Sequence, residues 1–239
     1  MHGTTAITAI TAQNTVGVDA VEGVSPELIR AQIRAVARDL GVDAVKIGMV
    51  GGIGAIAAVA AALDELPEGT PVVLDPVMIA ESGSRLLPTE AEEALRAELL
   101  PRATVVTPNL PEARVLARSG GGAVDDASAE ELARAIHRLG PSAVIVTGGH
   151  RDEATDLLFD GSRILELPGE RHPDGAAHGS GCTHSSTLAA HLALGYDLAD
   201  AARAARQTAS DAVRDGLREL GAGPGPVNVL GLGTGAIIR

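Results

Sequence analysis

The chain has 239 residues, enough for one domain with a full core, and 45% of them are hydrophobic. A net charge of −12 and only two aromatic residues, Phe159 and Tyr196, argue against nucleic-acid binding, which needs basic surface and stacking rings. A single cysteine excludes an internal disulfide, no apolar run is long enough to span a bilayer, and Met1-His2-Gly3 carries no basic signal region, so a cytoplasmic protein is expected.

Residues 4–12 (TTAITAITA) are rich in β-branched side chains and predict a first strand. Ser25-Pro26-Glu27 predicts a helix start, with a serine cap, a proline and an acid in the first turn. Leu28, Ile33, Val36 and Leu40 supply the apolar side of that helix. A short strand over 44–49 (AVKIGM) leads to an alanine-rich helix over 53–66, closed by Pro67. Residues 71–74 (PVVL) make an apolar strand that runs into Asp75-Pro76-Val77-Met78. After a glycine-containing loop over 81–85, Thr89 and Glu92 predict a capping box for a helix reaching Leu100. Residues 103–107 (ATVVT) predict a strand ending at Pro108-Asn109, with a short helix around 111–117 behind it. Ser128 and Glu131 cap a helix running to Leu139, and 143–146 form a strand ending at Thr147-Gly148-Gly149-His150. Residues 154–159 and 163–167 pair across Asp160-Gly161. A glycine loop at 178–182, a small-residue helix over 183–194, a long helix over 198–220 and a tail rich in glycine and proline complete the chain.

Short buried strands alternating with amphipathic helices predict an α/β fold, with a mainly parallel central sheet flanked by helices on both faces. No linker divides it, so residues 1–239 read as a single domain. Ligands of such sheets bind beyond the carboxyl ends of the strands. Asn14, Asp75, Asn109 and Thr147-Gly148-Gly149 follow predicted strands and should line one crevice, together with the loop at Cys182.

That loop, His178-Gly179-Ser180-Gly181-Cys182, is the most informative stretch. Its glycines allow close backbone approach, and the helix start behind it offers free N–H groups and a positive dipole end to an anion. Cys182, at the junction, is either a thiol whose pKa the dipole lowers or a small buried hydrophobe. Asp75 is either a ligand of Mg²⁺ or a turn residue before Pro76. Asn109 and Glu112 are either functional or a capping box. Thr147-Gly148-Gly149 either holds phosphate or only turns the chain. Lys46 reads as structural, its stem lying along apolar surface. The seven histidines show no metal-ligand spacing, and His150, His178 and His184 are candidates for phosphate contact.

Five stretches in this order are similar to the bacterial hydroxymethylpyrimidine/phosphomethylpyrimidine kinases of thiamine biosynthesis. They are 6–15 (AITAITAQNT), 44–50 (AVKIGMV), 75–83 (DPVMIAESG), 107–113 (TPNLPEA) and 178–185 (HGSGCTHS), and 223–228 (GPGPVN) matches that family's tail. The resemblance implies a ribokinase-like fold. It implies ATP- and Mg²⁺-dependent phosphorylation of 4-amino-5-hydroxymethyl-2-methylpyrimidine, and then of its monophosphate to the diphosphate. It casts Cys182 as the catalytic base and Gly179, Ser180 and Gly181 as a backbone cradle for the transferring phosphoryl group. Gln13 would hydrogen-bond the aminopyrimidine and Met78 would line its pocket. Asn109 and Glu112 would organise Mg²⁺ and phosphate beside Asp75, and Thr147 and Gly149 would face the nucleotide. Thr147 stands where many members carry lysine. A homodimer is expected from the relatives. Family members open with a strand and a glycine loop ahead of a Gly-Val-x-Gly motif. This sequence starts inside that motif, so a misassigned start at Met1 and the absence of those elements are expected. The alternatives on the same scaffold are a pyridoxal or pyridoxamine kinase and a non-catalytic pyrimidine-binding derivative.

Overall fold

The computed structural model describes residues 2–80, 83, 85–118, 124–148 and 154–232. The chain opens with a hairpin of its own, β1 (Ala9–Gln13) antiparallel to β2 (Val18–Gly23). Asn14 sits in its turn, where the side-chain Oδ1 accepts from the N–H groups of Val16 (2.8 Å) and Gly17 (3.0 Å). The single strand expected over 4–12 is therefore displaced and doubled, and Asn14 lies in the hairpin turn and not directly behind a strand of the main sheet. No core face marks the register of this hairpin, because β1 and β2 are exposed along most of their length.

The main sheet has six strands, β3 (Val45–Ile47), β4 (Val72–Leu74), β5 (Val105–Val106), β6 (Ala143–Val146), β7 (Asp156–Phe159) and β8 (Ile164–Leu167). Their spatial order follows the chain. Pairing is parallel from β3 to β6 and antiparallel from there to β8. The β7–β8 turn forms where expected: Gly161 takes a φ of +89°, and the Asp160 carboxylate accepts the N–H groups of Ser162 and Arg163.

Parallel neighbours in chain order need crossovers of one hand, and these put the connecting helices on one face. That face carries α1 (Pro26–Asp39), α2 (Ile53–Leu63), α3 (Thr89–Ala94), α4 (Leu110–Ala117) and α5 (Ala129–His137). Val72, Leu74, Val106, Val144 and Val146 point there and bury Ile56, Leu95, Leu116, Leu132 and Ile136. The alternate strand residues Val73, Val105, Ala143 and Ile145 face the other way. They meet Leu188 of α6 (Ser180–Ala193) and Ala201 and Ala205 of α7 (Leu198–Arg214). The result is the three-layer α/β architecture read from the sequence.

Some local expectations fail for physical reasons. No Thr89–Glu92 capping box forms, because Pro88 holds the cap position and Glu92 is drawn to Arg85 at 2.8 Å. After α3 the helix widens into a π turn over Leu95–Leu99 and closes as a 3₁₀ turn over Leu100–Arg102. The last helix stops at Arg214 and not near 220. Gly216 presses against Ala176, whose backbone N would lie 2.9 Å from a side chain at that position, and the Ala176 N–H takes the Val213 carbonyl at 3.1 Å.

Candidate active site

The parallel ladder carries four strand ends to one rim. The Asp75 N–H bonds the Ile47 carbonyl (2.8 Å), Thr107 N–H that of Leu74 (2.9 Å) and Thr147 N–H that of Pro108 (2.9 Å). Asp75 is only 5% exposed there. Its Oδ2 accepts from the Ser185 hydroxyl at 2.9 Å and lies 3.5 Å from Lys46 Nζ. Gly48 makes this possible, since a Cβ at that position would stand 2.7 Å from the ammonium. Lys46 thus does more than lie along apolar surface: it delivers a cation to the rim.

Opposite, α6 begins at Ser180, with Gly179 as its N-cap in the left-handed region at φ +91°. The Ser180 N–H is taken by the Ala177 carbonyl at 2.9 Å. Among the described residues, no carbonyl takes the N–H of Gly181 or Cys182, so these two are the donors the loop can offer an anion. The tail braces the loop from behind. Val227 N–H bonds the His178 carbonyl at 3.0 Å, and Gly223 N–H bonds the Thr15 hydroxyl at 3.2 Å. Gln13, exposed at the end of β1, lies two residues before Thr15, on the hairpin end that the tail ties toward this loop.

Cys182 is exposed in the first turn of α6, within hydrogen-bonding reach of Lys46. Its thiol is nevertheless pushed above the ordinary range. Loss of water is the main cause; Lys46 pulls the other way, and Asp75 and Glu112 push it further up. The lowering expected from the helix dipole does not prevail, because desolvation, with two carboxylates facing the same thiol, acts against it.

Asn109 and Glu112 do form a capping box at α4. The Asn109 side chain accepts Glu112 N–H at 2.9 Å, and Glu112 Oε2 accepts Asn109 N–H at 3.0 Å. The box is not the whole story. Glu112 is 8% exposed, and its Oε1 also faces the Met78 N–H at 3.4 Å. Its pKa is raised to about 7, chiefly by burial and further by Asp75. The equivalent box at Ser128–Glu131, on the surface, lowers the pKa of Glu131. Capping alone therefore works in the opposite direction, and what distinguishes Glu112 is first its burial and then its seat beside Asp75. Met78 itself is fully buried in the core behind them.

Among the described residues there is no group of three or more histidine, cysteine, aspartate or glutamate side chains that could enclose a metal. Two buried carboxylates at a ligand-facing rim suit a magnesium ion, which typically takes one or two carboxylates and completes its shell with water and phosphate. On the far side of the rim, Thr147 pairs with Asn109 as a parallel bridge. The N–H groups of Thr147 and Gly148 are both occupied, by the Pro108 carbonyl and by Asp156 Oδ1 (2.7 Å). Gly149 and His150 lie outside the described residues. Ser185 and Lys46 do not stand out from the sequence as site residues; the position of Lys46 two residues before Gly48, at the end of its strand, is the one local sign of the rim.

Known proteins resemble this chain along most of its length. The family model described as phosphomethylpyrimidine kinase matches residues 1–228. A hydroxymethylpyrimidine/phosphomethylpyrimidine kinase of Rhizobium meliloti is 48% identical over 232 residues, covering 95% of this chain and 86% of the relative. The crystal structure of a phosphomethylpyrimidine kinase from Clostridium difficile 630 superposes with a TM-score of 0.74 at 39% identity, over 89% of this chain and 87% of that one. A pyridoxal kinase from Staphylococcus aureus, solved in complex with ADP, gives a TM-score of 0.81 at 31% identity, over 94% and 81%.

Proposed function

The chain belongs to the phosphomethylpyrimidine kinase family, and on that premise we propose how its cleft works. It is a phosphotransferase of thiamine biosynthesis, acting on 4-amino-5-hydroxymethyl-2-methylpyrimidine and then on the monophosphate, with ATP as donor. Phosphoryl transfer asks the protein for alignment and charge stabilisation more than for covalent work. The N–H groups of Gly181 and Cys182, at the positive end of α6, meet the charge that develops on the transferring group, with Gly179 and Ser180 shaping the turn. Cys182 accepts the proton of the substrate hydroxyl as its oxygen attacks phosphorus, and Lys46 favours the thiolate against the neighbouring carboxylates. Gln13 hydrogen-bonds the aminopyrimidine, and Met78 backs its pocket. Asp75 and Glu112 hold Mg²⁺, which supplies positive charge to the phosphates when bound. Asn109 and Thr147 face the nucleotide, and Gly149 is assigned to it from the sequence. Residues 1–239 act as one cytoplasmic domain. Self-association through the β1–β2 hairpin is supported by its exposed Ile10 and Val21.

The observation that carries this reading is the meeting of Lys46, Asp75 and Glu112 around the thiol of Cys182. The two transfers differ in their need for a base. The first acceptor is an alcohol, whereas the second is a phosphate oxygen already ionised near neutral pH. Cys182→Ala is therefore expected to lower kcat for the first step by about 100-fold, the scale of general-base catalysis, with little change in KM. The second step should lose far less. Equal turnover of the alcohol by variant and wild type would sink the assignment. The shape of the pyridoxal kinase neighbour favours a second reading, so pyridoxal belongs in the same assay. Pyrimidine binding without ATP turnover would identify a non-catalytic derivative.

A further inference from the structure

Two residues beyond Cys182 on α6, His184 is buried, at 4% exposure. Its Nε2 lies 3.3 Å from Oδ2 of Asp156, the first residue of β7, which is 1% exposed. The other carboxylate oxygen accepts the Gly148 N–H at 2.7 Å. From α7, Arg206 brings Nε to 3.8 Å from Asp156 Oδ1, and its terminal nitrogen donates to the Ala154 carbonyl. One buried carboxylate thus stands at the junction of β6, β7, α6 and α7.

Burying such a group is costly, and an apolar residue of similar size would commonly serve stability as well. The cluster is not optimised for stability either. Asp156 Oδ2, both ring nitrogens of His184 and Arg206 Nε are buried without a well-formed hydrogen bond among the described residues. The one short, well-directed bond runs to Gly148. That glycine has no room for a side chain, since a Cβ on it would stand 2.6 Å from Thr155 N. Asp156 therefore pins the backbone that follows Thr147. The same carboxylate faces the helix whose first turn holds Gly181 and Cys182.

We infer that Asp156 is a positioning residue for the nucleotide. It holds the end of β6 in register with the phosphoryl-binding turn of α6, while His184 and Arg206 hold the carboxylate. The inference rests on the reading above that nucleotide lies against Thr147. It assigns to the buried cluster around Asp156 control over one substrate and not the other.

The test is calorimetric titration of ADP into wild type, Asp156→Ala and Asp156→Asn, with KM for the pyrimidine and a thermal melt on each. Asp156→Ala should weaken ADP by about tenfold, the scale of one hydrogen bond to a charged group, with pyrimidine KM changed by less than about twofold. Asp156→Asn keeps a carbonyl oxygen for the Gly148 N–H and should recover most of the affinity. Wild-type ADP affinity in Asp156→Ala overturns the inference, and so does parallel loss of both substrates. Where Asp156→Ala yields no folded protein, His184→Phe decides: ADP weakened about threefold with an unmoved pyrimidine KM supports the inference, and unchanged ADP affinity overturns it. Absence of ADP binding to wild type would remove the kinase reading as well, whereas binding that no variant disturbs removes this inference alone.

Discussion

Raising the pH from about 6 to about 8 in the absence of Mg²⁺ should destabilise the protein through Glu112. The carboxyl has a pKa of about 7 when folded and 4.5 as a free side chain. The folded state therefore keeps a proton that the unfolded chain has released. Its contribution to stability is full below pH 4.5 and is lost as the pH rises through 7. Integrating the two titrations, the loss between pH 6 and pH 8 is about 1.3 kcal/mol, which lowers Tm by roughly 3–5 °C in a chain of this size. The comparison is with Glu112→Gln, which does not titrate and should lack this component. Millimolar Mg²⁺ should flatten the wild-type slope, because a cation beside Asp75 and Glu112 favours the ionised carboxyl. Melting curves in matched buffers, with wild type and variant side by side, read all of this. If both proteins lose the same Tm over the range, burial beside Asp75 does not govern Glu112, and the argument for a paired carboxylate site fails.

The remaining predictions concern the opposite wall of the cleft. Cys182 is the sole cysteine, so alkylation by iodoacetamide reports it without ambiguity. Lys46→Met should slow that alkylation at pH 8 and move its midpoint to higher pH, because the carboxylates would then act on the thiol unopposed; an unchanged rate would refute the role of Lys46. Gly179→Ala should cost about 1–2 kcal/mol in urea unfolding, the penalty for a side chain in the left-handed region. The nearest atom to the new Cβ, on Val227, is 3.4 Å away, so strain and not collision sets the effect. Gly179→Asn should be milder, since asparagine tolerates that conformation, and a fully stable Gly179→Ala would contradict the geometry of the cap.

Much of this fold is legible in the sequence because the relevant partners are close along the chain. Ser25, Asn109 and Ser128 meet backbone donors three residues on, and Asp160 closes a turn with Ser162 and Arg163. The valine-rich strands announce themselves because they are buried on both faces. Legibility fails where a competing partner lies elsewhere in three dimensions. Glu92 could have closed a box with Thr89 but turns to Arg85, and the register of β1 and β2 is fixed by their mutual pairing and not by a core face. The site shows the same division. Cys182, Asp75 and Glu112 stand in recognisable local motifs. Ser185 acquires its meaning only by meeting Asp75, a residue 110 positions away; His184, singled out for phosphate contact, is buried against Asp156 instead, and Asp156 has no local signature at all.

The spatial order of the six strands has a temporal counterpart. Each of β4 to β8 joins an edge that has already left the ribosome, so the sheet grows in the direction of synthesis, without waiting for distant segments. Helices α6 and α7 emerge afterwards and cover the second face. A nascent chain can thus hold an assembled sheet, with Asp75 at its rim, before Ser185, Cys182 and the phosphoryl-binding turn have been made. The turn proposed to bind the phosphoryl group is completed late, by α6 and by the tail that braces it, so a chain ending before residue 180 carries the rim carboxylates without that turn.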